Sequence, residues 1–207
     1  QMPDEPLIFV EVALTGELPG AIDQILADNR KTVDPREAGC AIFYSISNCQ
    51  DGLRGIPFGG FLIKRVVGLL QAELPQLKTF ATLSPVPGFA AWLKQERGDK
   101  AKPPSDREMK ALAARYLVSG RSDKGGVLDS VARFHIGNGA RLEAIHTGAD
   151  MSANGLRQSH GVMVNYVYDL AEIEANHFAL AELGTVAASK TVRELAGVEP
   201  AKDAKNS

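Results

Sequence analysis

CAIFYSIS, residues 40–47, is a run of apolar and β-branched side chains that predicts a buried strand. The glycine-rich stretch DGLRGIPFGG follows at residues 51–60, and FLIKRVVGLLQAEL, residues 61–74, predicts a mostly apolar helix that ends at Pro75. A strand that leads through a glycine-rich loop into a helix indicates an α/β sheet covered by helices. This segment therefore decides the fold class.

The rest of the chain repeats strand-like and helical patterns. Runs rich in apolar and β-branched residues predict further strands at residues 7–14, 78–84, 141–149 and 162–170. Apolar residues at helical spacing predict helices at residues 19–28, 84–97, 106–118, 127–140 and 171–196. Only a short connection separates the last two strands. We therefore predict a mixed β-sheet flanked by helices instead of a regular βαβ series.

One segment has the composition of a linker. Residues 98–106, GDKAKPPSD, are polar and contain two adjacent prolines. Ser105 and Glu108 at its end form the pattern of a capping box, which predicts that the next helix begins there.

Composition narrows the classes of function. The length of 207 residues favours one globular domain. The formal net charge of -2 argues against a nucleic-acid partner. No apolar run approaches the ~20 residues of a membrane span, so we expect no membrane association. Cys40 and Cys49 are too few for a disulfide framework or a zinc cage, so we expect no metal and a reducing, cytoplasmic setting. Cys40 is predicted to be a small buried hydrophobic residue.

The glycine-rich loop is a candidate phosphate site. Gly55, Gly59 and Gly60 lie between a strand and a helix N-terminus, where unpaired backbone N–H groups and the helix dipole favour an anion. Arg54, Lys64 and Arg65 could add positive charge. The alternative is a turn that needs glycine only for a positive φ. Spacing does not separate the two.

The order of strand, glycine-rich loop and helix resembles the acetyl-coenzyme A-binding core of the GNAT superfamily. That resemblance implies that the loop holds the coenzyme A pyrophosphate and that Tyr44–Ser47 flank the pantetheine arm. The loop is longer here than in the usual acetyltransferase.

Ser84 and His135 have ordinary structural explanations on physical grounds. Ser84 follows an apolar strand and could cap the next helix. It also stands where α/β proteins place their sites, at the carboxyl end of a strand. His135 could be a cation at a helix C-terminus or a core residue with satisfied nitrogens. His146, His160 and His177 fit no metal spacing with it.

The motifs FLIKRVV, TLSPVPGF, ARFHIGNGA and MVNYVY, in that order, resemble malonyl-CoA decarboxylase. AIFYSIS and the opening PLIFVEVALTG belong to the same resemblance, which covers about residues 3–196. It implies that 1–207 is a GNAT-like catalytic domain, with a frayed tail at about 198–207, and that the family's helical N-terminal domain is absent. The acidic residue that the family carries near Pro57 is also missing.

The resemblance implies that Ser84 and His135 act on malonyl-CoA to give acetyl-CoA and CO2 through a thioester enolate, as in fatty acid metabolism. No cofactor beyond the coenzyme A of the substrate is expected, and a homo-oligomer is possible. Alternatives are a GNAT-type acyltransferase and a non-catalytic acyl-CoA-binding module. The expected substrate-binding residues are Ser45, Arg54, Gly55, Ile56, Pro57, Phe58, Gly59, Gly60 and Tyr166, with Asn165 and Tyr168 as weaker candidates.

Overall fold

The structure is a computed structural model of the chain. It describes residues 8–30, 32–48, 58–98 and 102–198, and of residues 8, 47, 48 and 58–61 only the backbone. Cys49, the loop positions 54–57 and residues 199–207 of the predicted tail lie outside the described residues.

Six strands form one mixed sheet. Their order across the sheet is β1-β2-β3-β6-β4, and β5 also pairs with β6. Among the pairings of these six described strands, only β2–β3 is parallel. The strands are β1 Ile8–Thr15, β2 Cys40–Asn48, β3 Thr79–Thr82, β4 Ser84–Pro85, β5 Arg141–His146 and β6 Met163–Val167.

Strands β3 and β4 lie in one register along β6. Ala81 pairs with Val167, and Ser84 pairs with Val164. Between them Leu83 donates its backbone N–H to the carbonyl of Phe43 in β2. The predicted strand at 78–84 is therefore confirmed in position, with an interruption at Leu83 where the backbone turns to β2.

Helices cover both faces of the sheet, as the prediction of a mixed α/β fold requires. Alternation in β2 places Ala41 and Phe43 in a large core and Cys40 and Ile42 in a smaller core on the opposite face. The helices are α1 Asp23–Leu26, α2 Phe58–Glu73, α3 Phe89–Arg97, α4 Asp106–Ser119, α5 Ser130–Gly137, α6 Ala153–Ser159, α7 Ile173–Leu183 and α8 Lys190–Ala196.

Several details differ from the prediction. The connection between β5 and β6 contains α6, which begins at the side-chain cap of Ser152. The long C-terminal helix is two helices, because Gly184 adopts a left-handed conformation at φ 63° and ends α7. The helix predicted at 19–28 is only the single turn α1.

Two further predictions, at Cys40 and at Ser105, are confirmed. Cys40 is buried. Ser105 and Glu108 form a capping box, with each side chain bonded to the other's backbone N–H. Among the described helices, none has the combination of length and apolar character that crossing a membrane requires.

Replacing Ser105 by Ala removes the side-chain acceptor for the N–H of Glu108. We expect a loss of about 1 kcal/mol in the free energy of unfolding, measured by urea denaturation. The control is Lys110→Ala, which removes an exposed ion pair to Asp106 at 3.5 Å and should cost below about 0.5 kcal/mol. Equal losses in the two variants would contradict a stabilising cap.

Candidate active site

Ser84 lies in the two-residue strand β4 and is 5% exposed. The next helix, α3, begins five residues later at Phe89, and the residue at its N-cap position is Gly88. The alternative that Ser84 is the cap of this helix is therefore wrong. Pairing with Val164 directs the serine toward the large core, which helix α5 covers.

His135 lies in the last turn of α5 and is also 5% exposed. Its Nε2 is 3.3 Å from the Ser84 hydroxyl oxygen, and its Nδ1 is 2.8 Å from the Tyr168 hydroxyl. The ring stacks on Tyr166 with centroids 4.7 Å apart. The structure thus brings together Ser84 and His135, 51 positions apart in the chain, and Tyr166 beside them.

Burial fixes the protonation of this site. Desolvation lowers the pKa of His135 from its ordinary 6.5 to about 3, so the imidazole of the unliganded protein is neutral at pH 7. Burial between two hydroxyl groups favours a core residue with satisfied nitrogens over a helix-terminal cation. Burial also raises the pKa of Tyr168, whose phenol stays protonated. In the unliganded protein His135 therefore carries a single ring proton.

The chain of hydroxyl groups continues past Ser84. Thr82 is 1% exposed, and its Oγ1 lies 2.8 Å from the Ser84 Oγ. The backbone N–H of Tyr166 also donates to Thr82 Oγ1, at 3.3 Å. Sequence reasoning missed Thr82, although its spacing of two residues from Ser84 along a strand places both on one face.

A buried carboxylate connects the serine's turn to the histidine's helix. Asp129, 1% exposed, caps α5 by accepting the N–H groups of Val131 and Ala132 on Oδ1, at 2.9 and 3.0 Å. Its Oδ2 accepts the N–H of Gly88 at 3.1 Å and the Tyr116 hydroxyl at 3.3 Å. Both parts of the site are thus tied to one side chain. Sequence reasoning missed it, although an Asp just before a helix is a recognisable N-cap.

The other predicted site residues lie in β2, at the start of α2 or outside the described residues. Ser45 is half-buried in β2 opposite Glu11, and no described hydrogen bond joins it to Ser84 or His135. Phe58, Gly59 and Gly60 form the first turn of α2, directly after the loop. Arg54, Gly55, Ile56 and Pro57 lie outside the described residues. Lys64 and Arg65 are exposed on α2.

Asn165 and Tyr166 are neighbours in β6 and point to opposite faces of the sheet. Asn165 donates its side-chain amide to the carbonyls of Thr82 and Pro19 and accepts from His146. It therefore ties the segment before α1 to β3, and none of its described hydrogen bonds goes to Ser84 or His135. Tyr166 differs, because its buried hydroxyl has no hydrogen-bond partner among the described residues.

Comparison with known proteins identifies relatives of the whole described fold. The model of the malonyl-CoA decarboxylase C-terminal domain matches residues 1–108 and 104–206. The mitochondrial malonyl-CoA decarboxylase of Mus musculus is 35% identical over 93% of this chain and 48% of its own length. The same protein of Anser anser anser is 34% identical, over 89% and 45%. The chain thus spans about half the length of these relatives.

Two bacterial structures agree closely with the fold. Malonyl-CoA decarboxylase from Rhodopseudomonas palustris is 48% identical with a TM-score of 0.86, over 93% of this chain and 50% of that one. The protein from Agrobacterium vitis is 48% identical with a TM-score of 0.87, over 94% and 54%.

More distant structures bear on the fold alone. GphF GNAT-like decarboxylase, solved with isobutyryl-CoA, is 20% identical with a TM-score of 0.53, over 79% of this chain and 72% of that one. The loading GNATL domain of CurA from Lyngbya majuscula is 15% identical with a TM-score of 0.52, over 83% and 74%. The predicted GNAT-like fold is thereby confirmed.

The buried neutral histidine has a consequence for stability. An unfolded chain protonates His135 below about pH 6.5, whereas the folded chain does so only near pH 3. Between these values the unfolded state binds more protons, so His135 destabilises the fold as the pH decreases.

His135→Gln should reduce the pH dependence of the free energy of unfolding between about pH 6.5 and 4, measured by urea denaturation. His177→Gln, at an exposed site, is the control. An unchanged slope in His135→Gln would contradict a buried neutral imidazole.

Proposed function

The chain belongs to the malonyl-CoA decarboxylase family, and we propose that it converts malonyl-CoA to acetyl-CoA and CO2. The observation that carries this proposal is the buried contact of 3.3 Å between Ser84 and His135, in a chain with this family's fold. The whole protein's activity is part of the proposal, because the chain spans about half the length of the relatives.

The proposed reaction has two steps. The bond between the carboxyl carbon and the α-carbon of the malonyl group breaks, CO2 leaves, and the electron pair moves into the thioester carbonyl to form an enolate. The α-carbon then takes one proton to give acetyl-CoA. The thioester itself accepts the electrons, so the proposal needs no cofactor as an electron sink.

The site residues suit the first step because they are buried and uncharged. The malonyl carboxylate loses its hydration when it lies against Ser84 and the neutral His135. Neither residue of this pair is a cation that would stabilise the carboxylate, so its loss as CO2 is favoured. The Ser84 hydroxyl can donate a hydrogen bond to the oxygen that becomes negative. Hydrogen bonds are electrostatically stronger in such a water-poor environment.

His135 is proposed to supply the proton of the second step. The negative charge that the first step leaves on the thioester raises the pKa of a nearby imidazole, so we propose that His135 takes up a solvent proton as the enolate forms. It then delivers that proton from Nε2, the nitrogen that faces Ser84, to the α-carbon and becomes neutral again. One proton from water is thereby consumed in each turnover.

Coenzyme A is proposed to bind at the start of α2. The helix begins at Phe58, so its first backbone N–H groups have no partner in the preceding turn of the helix and suit a pyrophosphate. Arg54–Gly60, Ser45 and Tyr166 remain the proposed substrate-binding residues. The cytoplasmic setting and the homo-oligomer also stay predictions.

Incubating the purified protein with malonyl-CoA alone tests the proposed function. We expect acetyl-CoA without any added acceptor, and in heavy water the product's methyl carbon should carry one deuteron. Ser84→Ala should reduce turnover strongly with little change in melting temperature. His135→Asn should reduce kcat by roughly two to four orders of magnitude while substrate binding persists, because the proton donor is lost.

Two other results would contradict the proposal. A requirement for an amine acceptor would indicate an acyltransferase, and unchanged malonyl-CoA would indicate a binding module. Near-normal turnover by His135→Asn would remove that residue from the mechanism. Asn substitutions of His146, His160 and His177 are the controls and should leave the rate within a small factor of the unsubstituted protein.

Gly59→Val tests the binding of coenzyme A at α2. A branched side chain in the first turn should obstruct an anion at the backbone, raise KM for malonyl-CoA and weaken coenzyme A binding in calorimetry. Gly68→Val makes the same change in the same helix, at a position with open space around its α-carbon. Equal binding by the two folded variants would exclude the helix start from the site.

A further inference from the structure

Thr82 lies at one end of a chain of hydrogen-bonded groups that continues through Ser84 and His135 to Tyr168. Its Oγ1 lies 2.8 Å from Ser84 Oγ, whereas the distance from Ser84 Oγ to His135 Nε2 is 3.3 Å. Thr82 and Ser84 are both nearly inaccessible to water. The hydroxyl hydrogen of Ser84 therefore has two neighbours to choose between in the unliganded protein, and the threonine oxygen is the nearer.

The bond between the two hydroxyl groups sets the direction of the chain. Ser84 donates its hydrogen to Thr82 Oγ1, so the Ser84 oxygen can accept from His135 Nε2. A neutral imidazole that donates from Nε2 accepts on Nδ1. The Tyr168 hydroxyl, 2.8 Å from Nδ1, can donate there.

Thr82 is well placed to accept this bond. The backbone N–H of Tyr166 can only donate, and it occupies one lone pair of Thr82 Oγ1 at 3.3 Å. The hydroxyl of Ser84 occupies the other. All hydrogen bonds then run in one direction, from Tyr168 through His135 and Ser84 to Thr82.

We propose that Thr82 is a positioning residue that orients the Ser84 hydroxyl and thereby keeps the hydrogen of His135 on Nε2. The arrangement leaves the imidazole unable to act as a base toward Ser84, because Nε2 has no free lone pair. Ser84 then serves as a hydrogen-bond donor to substrate and not as a nucleophile. The catalytic consequence rests on the proposed function, whereas the hydrogen position does not.

Removing the Thr82 hydroxyl should reverse the chain. In Thr82→Val, Ser84 loses its nearer acceptor and turns its hydrogen to His135 Nε2. The imidazole hydrogen then moves to Nδ1 and donates to Tyr168. Its N–H faces away from Ser84, and the serine's hydrogen is no longer available to a substrate oxygen.

Nitrogen-15 NMR of the histidine-labelled, unliganded protein near neutral pH reads the hydrogen position directly. His135 is identified by the signal missing from His135→Gln. We expect an Nε2–H imidazole in the unsubstituted protein and in Thr82→Ser, and an Nδ1–H imidazole in Thr82→Val. Thr82→Ala, which also lacks the hydroxyl, gives the same test if the valine variant does not fold. An Nε2–H imidazole in every folded variant that lacks the hydroxyl would overturn the proposal.

Kinetics with malonyl-CoA tests the catalytic part. Thr82→Val should lower kcat by roughly 100-fold, the effect of a misplaced reacting group, and leave KM within about threefold. Thr82→Ser should restore most of kcat, whereas a purely packing role would make the near-isosteric valine the milder change. If the unsubstituted protein forms no acetyl-CoA, the proposed function fails, and the NMR result still decides the role of Thr82.

Discussion

Burial of a neutral imidazole against a serine hydroxyl is the constraint on which the rest of the site depends. His135 and Ser84 are each 5% exposed, and the pKa of His135 is lowered to about 3. Each polar atom in such a place needs a partner, because an unsatisfied buried group costs about 1–3 kcal/mol. Tyr168 and Thr82 supply those partners at the two ends, so the hydrogen bonds within the protein hold the reacting groups before any ligand arrives.

Strand pairing along β6 and one buried carboxylate bring these groups together. Strand β6 carries Tyr166 and pairs with both β3 and β4, which places Ser84 beside His135 and Thr82 beside Ser84. Asp129 then joins the turn after Ser84 to the first turn of α5. Sheet register thus sets the lateral position of the site, and a buried carboxylate sets the spacing between the strand and the helix.

Local rules predicted much of the fold and little of the site's chemistry. The strand at Cys40, the helix after the glycine-rich loop and the capping box at Ser105 follow from patterns within a few residues, and all are present. Helix α6 was missed because seven residues in a loop give little periodicity. Ser84 and His135 were selected by resemblance to a family, since a serine before a turn and a histidine at a helix end have ordinary explanations. The pKa of His135 and the contacts of Thr82 and Asp129 depend on packing between distant segments, which no local pattern encodes.

In the proposed mechanism, Ser84 and His135 act on malonyl-CoA by hydrogen bonding and proton transfer, without a covalent bond to the serine. Mass spectrometry of the intact protein, quenched during turnover of malonyl-CoA, distinguishes this mechanism from acyl transfer through the serine. We expect acetyl-CoA to accumulate while the polypeptide keeps its unmodified mass at every time point. An acyl adduct that forms and decays with turnover, and that maps to the peptide containing Ser84, would contradict it.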